Sequence, residues 1–197
     1  LHQYFPADKQ LEFGLEMAKL FGYDLSRGRQ DQSVHPFCTS FSINDVRITT
    51  RLDEGFLSSA LFGTLHECGH ALYEQGINIE LERTLLGGGT SLGIHESQSR
   101  LWENLVGRSR EFWTFAYPKL KTFFREPLKG CSLENFYRSI NRVEPSLIRV
   151  EADEVTYNLH IMLRYELEID LLEGDLQIKD LPDAWNRKMR NYLGIVP

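Results

Sequence analysis

The sequence predicts a mostly α-helical protein with one short β-hairpin, and three observations carry that prediction. Apolar residues recur at helical spacing through most of the chain. Only one stretch, residues 34–54 (VHPFCTSFSINDVRITTRLDE), is rich in β-branched and aromatic residues. Prolines and glycines separate the helical segments. At 197 residues, with 42% hydrophobic and 25% charged residues, the chain has an ordinary globular composition and length enough for one core. It contains no internal repeat and no low-complexity tract.

Residues 6–22 read as an amphipathic helix: Pro6 suits a first turn, and Leu11, Leu15, Ala18 and Phe21 follow helical spacing. The polar run from Asp24 to Gln32 reads as a loop. Phe37 to Ile43 and Val46 to Thr50 predict the two strands of an antiparallel hairpin, with Asn44-Asp45 as its turn. A helix then starts near Gly55 or Phe56, where Asp53 and Glu54 favour its positive end. Residues 76–93 contain Gly87-Gly88-Gly89, which suits a flexible loop or lid, or a backbone passing close to another group. A phosphate cradle is disfavoured, because the lysine and the strand of a P-loop are absent. Ile94 to Trp113 reads as one helix with Leu101, Leu105 and Phe112 facing the core. Pro118 breaks that pattern or begins a further turn through Phe124. A short helix covers Leu133 to Ile140, and one long helix runs from beyond Pro145 to Gly174. A last helix covers Asp183 to Tyr192.

The formal net charge is −6 and no basic stripe is present, so nucleic acid and anionic membrane surfaces are not expected partners. No apolar run approaches a membrane span, and the start lacks a signal-peptide pattern. Cys38, Cys68 and Cys131 make no disulfide framework and have no metal-ligand spacing. A cytoplasmic location is the expectation.

The helix beginning near Phe56 carries His66-Glu67-Cys68-Gly69-His70. Two imidazoles four residues apart share one helix face and can reach one zinc ion, with a carboxylate beside them to act as general base. At 100° per residue, Leu57, Leu61, Thr64, Leu65, Cys68 and Leu72 form a core stripe. His66 and His70 lie opposite it, beside Ser59, Phe62 and Tyr73. Cys68 is therefore a packing residue. A catalytic zinc site needs a third protein ligand. Glu74 is on the same helix and would converge poorly, so Glu96 on the next helix leads, with His95 and Glu103 as competitors. Glu103 itself suits a solvated helix position.

Five segments occur in a telling order: His35-Pro36-Phe37, Asp45-Val46-Arg47-Ile48-Thr49, His66-Glu67-Cys68-Gly69-His70, His95-Glu96-Ser97-Gln98 and Ile148-Arg149-Val150-Glu151-Ala152-Asp153. Together they resemble the carboxypeptidase Taq family of metallocarboxypeptidases. The resemblance implies a multi-helix, zincin-like metallopeptidase core that removes C-terminal residues from peptides with broad specificity. It implies His66, His70 and Glu96 as metal ligands and Glu67 as general base and proton shuttle. The donor set suits zinc, and cobalt or another divalent ion can occupy such a site; the resemblance also implies that a homodimer can form. Members of that family are longer and carry a later Gly-x-x-Gln-Asp-x-His-Trp motif that this chain lacks, so residues 1–197 are expected to be a single catalytic-core fragment. Recognition of a free peptide carboxylate suits arginine, and Arg47 and Arg149 are the candidates. Each has a structural alternative, notably a pair between Arg149 and Asp153. His35 and His160 read as structural. Two other functions fit the same residues: a zinc endopeptidase, and a helical fragment that binds metal without turnover.

Overall fold

The structure, a computed structural model, describes residues 2–197. Among the described residues it contains seven α-helices and one three-stranded sheet, in two compact units, one up to Ile140 and the other Asn141–Pro197. The mostly α fold class holds. Among the described residues no helix is long and apolar enough to cross a membrane.

The first unit is organised around α2, Leu57–Gln75. On one side it meets α1 (Ala7–Phe21) and α4 (Arg110–Phe123). There Leu57, Leu61 and Leu65 pack with Phe13, Met17, Trp113 and Leu120 in a fully buried cluster. The buried face of α1 centres on Phe13 and Met17 and not on Leu11 and Leu15. Trp113 anchors the cluster while its indole Nε1 donates to the Gly107 carbonyl at 2.7 Å, so no polar atom is stranded. On its other side α2 sets Cys68 and Ala71 against Val46 and Ile48 of the sheet. Cys68 is fully buried, as its place in the apolar stripe predicts.

The hairpin is present as β2 (Cys38–Ser42) and β3 (Asp45–Thr50). The sequence did not signal a third strand. Gly28–Gln32 forms β1, paired in parallel with β3 from Gly28↔Val46 to Gln32↔Thr50, giving the order β1-β3-β2. Its residues, GRQDQ, have no strand pattern. The Tyr23 hydroxyl bonds the Val46 and Arg29 carbonyls at 2.7 and 3.0 Å, so pairing is imposed by backbone neighbours.

The single helix expected over 94–113 is two. After α3 (Leu92–Arg100) the chain widens into a π turn over Leu101–Val106, breaks at Gly107, and restarts as α4 where the Ser109 hydroxyl accepts from the Phe112 amide. Leu101 and Leu105 are exposed, contrary to their expected core positions. Pro118 lies inside α4 without ending it, flanked by the buried residues Trp113, Ala116, Tyr117 and Leu120. Leu133–Ile140 forms α5.

In the second unit, the long helix is shorter than its apolar spacing suggested. A 3₁₀ turn, Arg149–Glu151, precedes α6 (Glu154–Glu173), which packs on α7 (Leu181–Leu193) through Leu163, Leu167, Ala184 and Met189. Asp153 fixes the start of α6: its carboxylate accepts from the Val155 and Thr156 amides, both at 2.9 Å. Partial burial opposes ionisation of Asp153, but bonds from Thr156, Glu144 and Val155 outweigh it and hold its pKa below the ordinary value. Because the folded pKa is depressed, the stabilisation is present at neutral pH and is lost as pH falls through that value. Asp153→Ala should cost about 0.5–2 kcal/mol in denaturant unfolding at pH 7. The difference from the parent should shrink once the pH is low enough to protonate Asp153.

Candidate metal centre

Helix geometry places His66 and His70 one turn apart on the face of α2 away from its core stripe. The third group comes from α3, which crosses α2 very closely. A Cβ on Gly69 would stand 2.6 Å from the Ser99 Cα and 2.7 Å from the Gln98 carbonyl oxygen. Only glycine allows that approach, and it brings Glu96 over the two rings. His66 Nε2 and His70 Nε2 each lie 3.6 Å from the same oxygen, Glu96 Oε2.

Each ring is held from behind through Nδ1. His66 Nδ1 bonds Glu103 Oε2 at 2.8 Å, and His70 Nδ1 meets His95 Nδ1 at 2.9 Å. Arg100 bridges the two acids of its own helix, with Nε 2.9 Å from Glu96 Oε1 and Nη1 3.1 Å from Glu103 Oε2. Ser99 adds a bond to Glu96 Oε2 at 3.1 Å.

The electrostatics follow from burial. Glu67 is almost fully buried, and burial pushes its carboxyl up to about 7; His66 works against this, while Glu96 and Glu103 add to it. Burial, with the nearby charge of His66, takes His70 down to about 4, leaving a neutral ring at neutral pH. Burial lowers His66 too, but the bond and charge of Glu103 outweigh it and leave it raised. For Glu103, burial opposes ionisation, yet His66, Arg100 and Arg108 hold its pKa below the ordinary value.

These residues fit a divalent metal. Two imidazole nitrogens and one carboxylate oxygen lie within 4.8 Å of one another, and among the described residues His66, His70 and Glu96 are the group that could hold one. With Nδ1 of His66 and of His70 engaged, each Nε2 remains to face Glu96. The competitors have other work. Glu103 is not a solvated residue: its side chain is 13% exposed and supports His66. His95 supports His70, and Glu74 bonds His95 Nε2 at 2.6 Å. Glu103 could have been found in the sequence, since Glu96, Arg100 and Glu103 are spaced i, i+4, i+7 on one face.

The arginine candidates are engaged as well. Arg47, on β3, forms a two-point pair with Asp45, both contacts at 2.7 Å, and lies over the Phe41 ring. In the second unit Arg149 donates to the Tyr157 hydroxyl at 2.6 Å, while Asp153 caps α6 in place of the expected ion pair with Arg149.

A family model described as carboxypeptidase Taq (M32) metallopeptidase matches residues 1–197. The chain belongs to that family. Thermostable carboxypeptidase 1 of Thermus thermophilus is 54% identical over 197 residues, and carboxypeptidase 1 of Bacillus subtilis is 50% identical over 193. These alignments cover 100% and 98% of this chain, but it spans only 38% of the length of each relative. Among solved structures, the M32 carboxypeptidase of Deinococcus radiodurans R1 matches with a TM-score of 0.98 at 51% identity, over 100% of this chain and 40% of that one. A Pyrococcus furiosus carboxypeptidase matches at a TM-score of 0.95 and 44% identity, over 99% of this chain and 39% of that one. The M32 fold thus holds across this segment, and the family is one of metallopeptidases.

Removing the support behind His66 should loosen the group without dismantling it. Glu103→Ala is expected to weaken binding of an added divalent metal by about 10–100-fold, measured by chelator competition. His66→Ala should weaken it further.

Proposed function

We propose that this chain forms the metal-binding core of a zinc-dependent carboxypeptidase acting on peptides with a free C-terminus. The observation that carries the proposal is the convergence of both Nε2 atoms on one Glu96 oxygen, with Glu67 buried in the same turn of α2. His66, His70 and Glu96 would hold the metal. Zinc suits two imidazoles and a carboxylate, and cobalt or another divalent ion could occupy the same donors. When bound, such a cation supplies Lewis acidity that activates water and polarises a peptide carbonyl.

The protein's own groups do the rest. Glu67 takes the proton of the attacking water and passes it to the leaving amine. Burial makes the Glu67 carboxyl more basic than an ordinary carboxylate, which suits it to take up a proton. His70 stays neutral and keeps its lone pair available. Arg47 and Arg149 are the proposed binders of the substrate carboxylate, through paired charge-assisted bonds. Arg47 would then share its guanidinium with Asp45, and Arg149 would use donors beyond the one directed at Tyr157. A homodimer and a cytoplasmic location belong to the same proposal, the latter consistent with three free cysteines.

Glu67→Gln in the complete gene product should keep a full equivalent of metal while peptide hydrolysis falls by about 10²–10⁴-fold. Retained turnover would remove Glu67 from the mechanism. Arg149→Ala should impair cleavage of free-acid peptides far more than cleavage of C-terminally amidated ones. Equal turnover of both peptide types by the parent protein would favour an endopeptidase. Stoichiometric metal without hydrolysis of either would leave a binding fragment.

A further inference from the structure

The three-glycine loop raises a question that the ligand set alone does not answer: why does its backbone come so close to the site? Glu74 Oε1 receives two bonds, from His95 Nε2 at 2.6 Å and from the Gly89 amide at 3.1 Å. A Cβ on Gly89 would stand 2.6 Å from His95 Nε2 and 3.0 Å from Glu74 Oε1, so a side chain there would have to displace His95. Its neighbour Gly88 has nothing within 4 Å. The next amide, Thr90, donates to the Tyr73 hydroxyl at 3.2 Å, and the Tyr73 ring stands edge-on to His95 at 4.9 Å.

We infer that Gly89, Glu74 and His95 form a positioning relay, running from the glycine loop to His70, that fixes which nitrogen of His70 is left bare. The inference rests on His70 being a metal ligand, as proposed above. A carboxylate has no proton to give, so His95 Nε2 donates to Glu74. In the neutral ring His95 Nδ1 is then an acceptor and takes the hydrogen of His70 Nδ1, 2.9 Å away. His70 Nε2 is left with its lone pair, on the side of Glu96. His66 reaches the same condition directly, because Glu103 accepts from its Nδ1. The two histidines are thus set by different devices, and only that of His70 passes through a loop. Binding and loop order are therefore coupled in both directions.

The test measures the affinity of the 197-residue chain for added zinc by chelator competition, beside amide hydrogen exchange at Gly89 and Thr90. His95→Ala and Gly89→Ala should each weaken zinc binding by about 10–100-fold. Gly88→Ala should leave it unchanged. His95→Gln, whose amide oxygen can accept from His70, should recover part of the loss seen in His95→Ala. Zinc should slow exchange at Gly89 and Thr90 in the parent chain but not in His95→Ala. Far-UV circular dichroism checks that each variant is folded; if Gly89→Ala is not, the His95 pair decides. If His95→Ala binds as tightly as the parent while His70→Ala does not, the relay is overturned and the ligand set stands. If His70→Ala also binds as tightly as the parent, the ligand set itself is wrong and the relay falls with it.

Discussion

In the proposed metal site two imidazole rings present bare nitrogens to one point, and an acceptor on the other nitrogen selects which one is bare. That requirement governs the surroundings of His66 and His70. Glu103 meets it for one ring and His95 for the other, and both partners come from the segment that also supplies Glu96. The segment can reach because Gly69 removes the Cβ that would keep α3 away from α2. A packing constraint in the backbone and a protonation constraint in the rings therefore meet at neighbouring residues of one helix.

The charge balance explains the arginines. Glu67, Glu74, Glu96 and Glu103 crowd one region of the first unit. At Glu67, burial raises the carboxyl first, and the charges of Glu96 and Glu103 add to it. Arg100 joins Glu96 to Glu103, and Arg108, lying over the Phe62 ring, adds its charge beside Glu103. The carboxylates still outnumber these two guanidiniums, and a divalent cation is the natural complement of the excess. Placing the site on helices anchored by Leu61, Leu65 and Trp113, and not on loops, keeps this crowding in a fixed geometry.

Much of this was legible in the sequence, for physical reasons that differ by element. The course of α2 and the opposition of its core and histidine faces followed from periodicity, because a helix has one repeat and its burial obeys it. The choice of Glu96 as the proposed third ligand needed knowledge of which helix lies opposite, which local spacing does not contain; motif order supplied it. The strand β1 could not be read, because Gly28–Gln32 pairs through its backbone and its side chains carry no alternation. The contacts of His95 were equally hidden, since Glu74, Gly89 and His95 meet only once α3 has docked.

The most instructive departure lies at residues 101–105. Apolar periodicity put Leu101 and Leu105 in the core and Glu103 in solvent, and the structure reverses this: Leu105 is 72% exposed, and the Glu103 side chain is 13% exposed. The reversal follows from the demand that His66 makes. A carboxylate reaches the half-buried His66 Nδ1, and the π turn over Leu101–Val106, closed by the Gly107 amide on the Trp102 carbonyl at 2.8 Å, changes the helical phase where that carboxylate is presented. Burying Glu103 costs desolvation, offset by its bonds to His66 and Arg100. A local rule is broken beside the residues proposed to hold the metal, and departures of that kind are expected at a functional site.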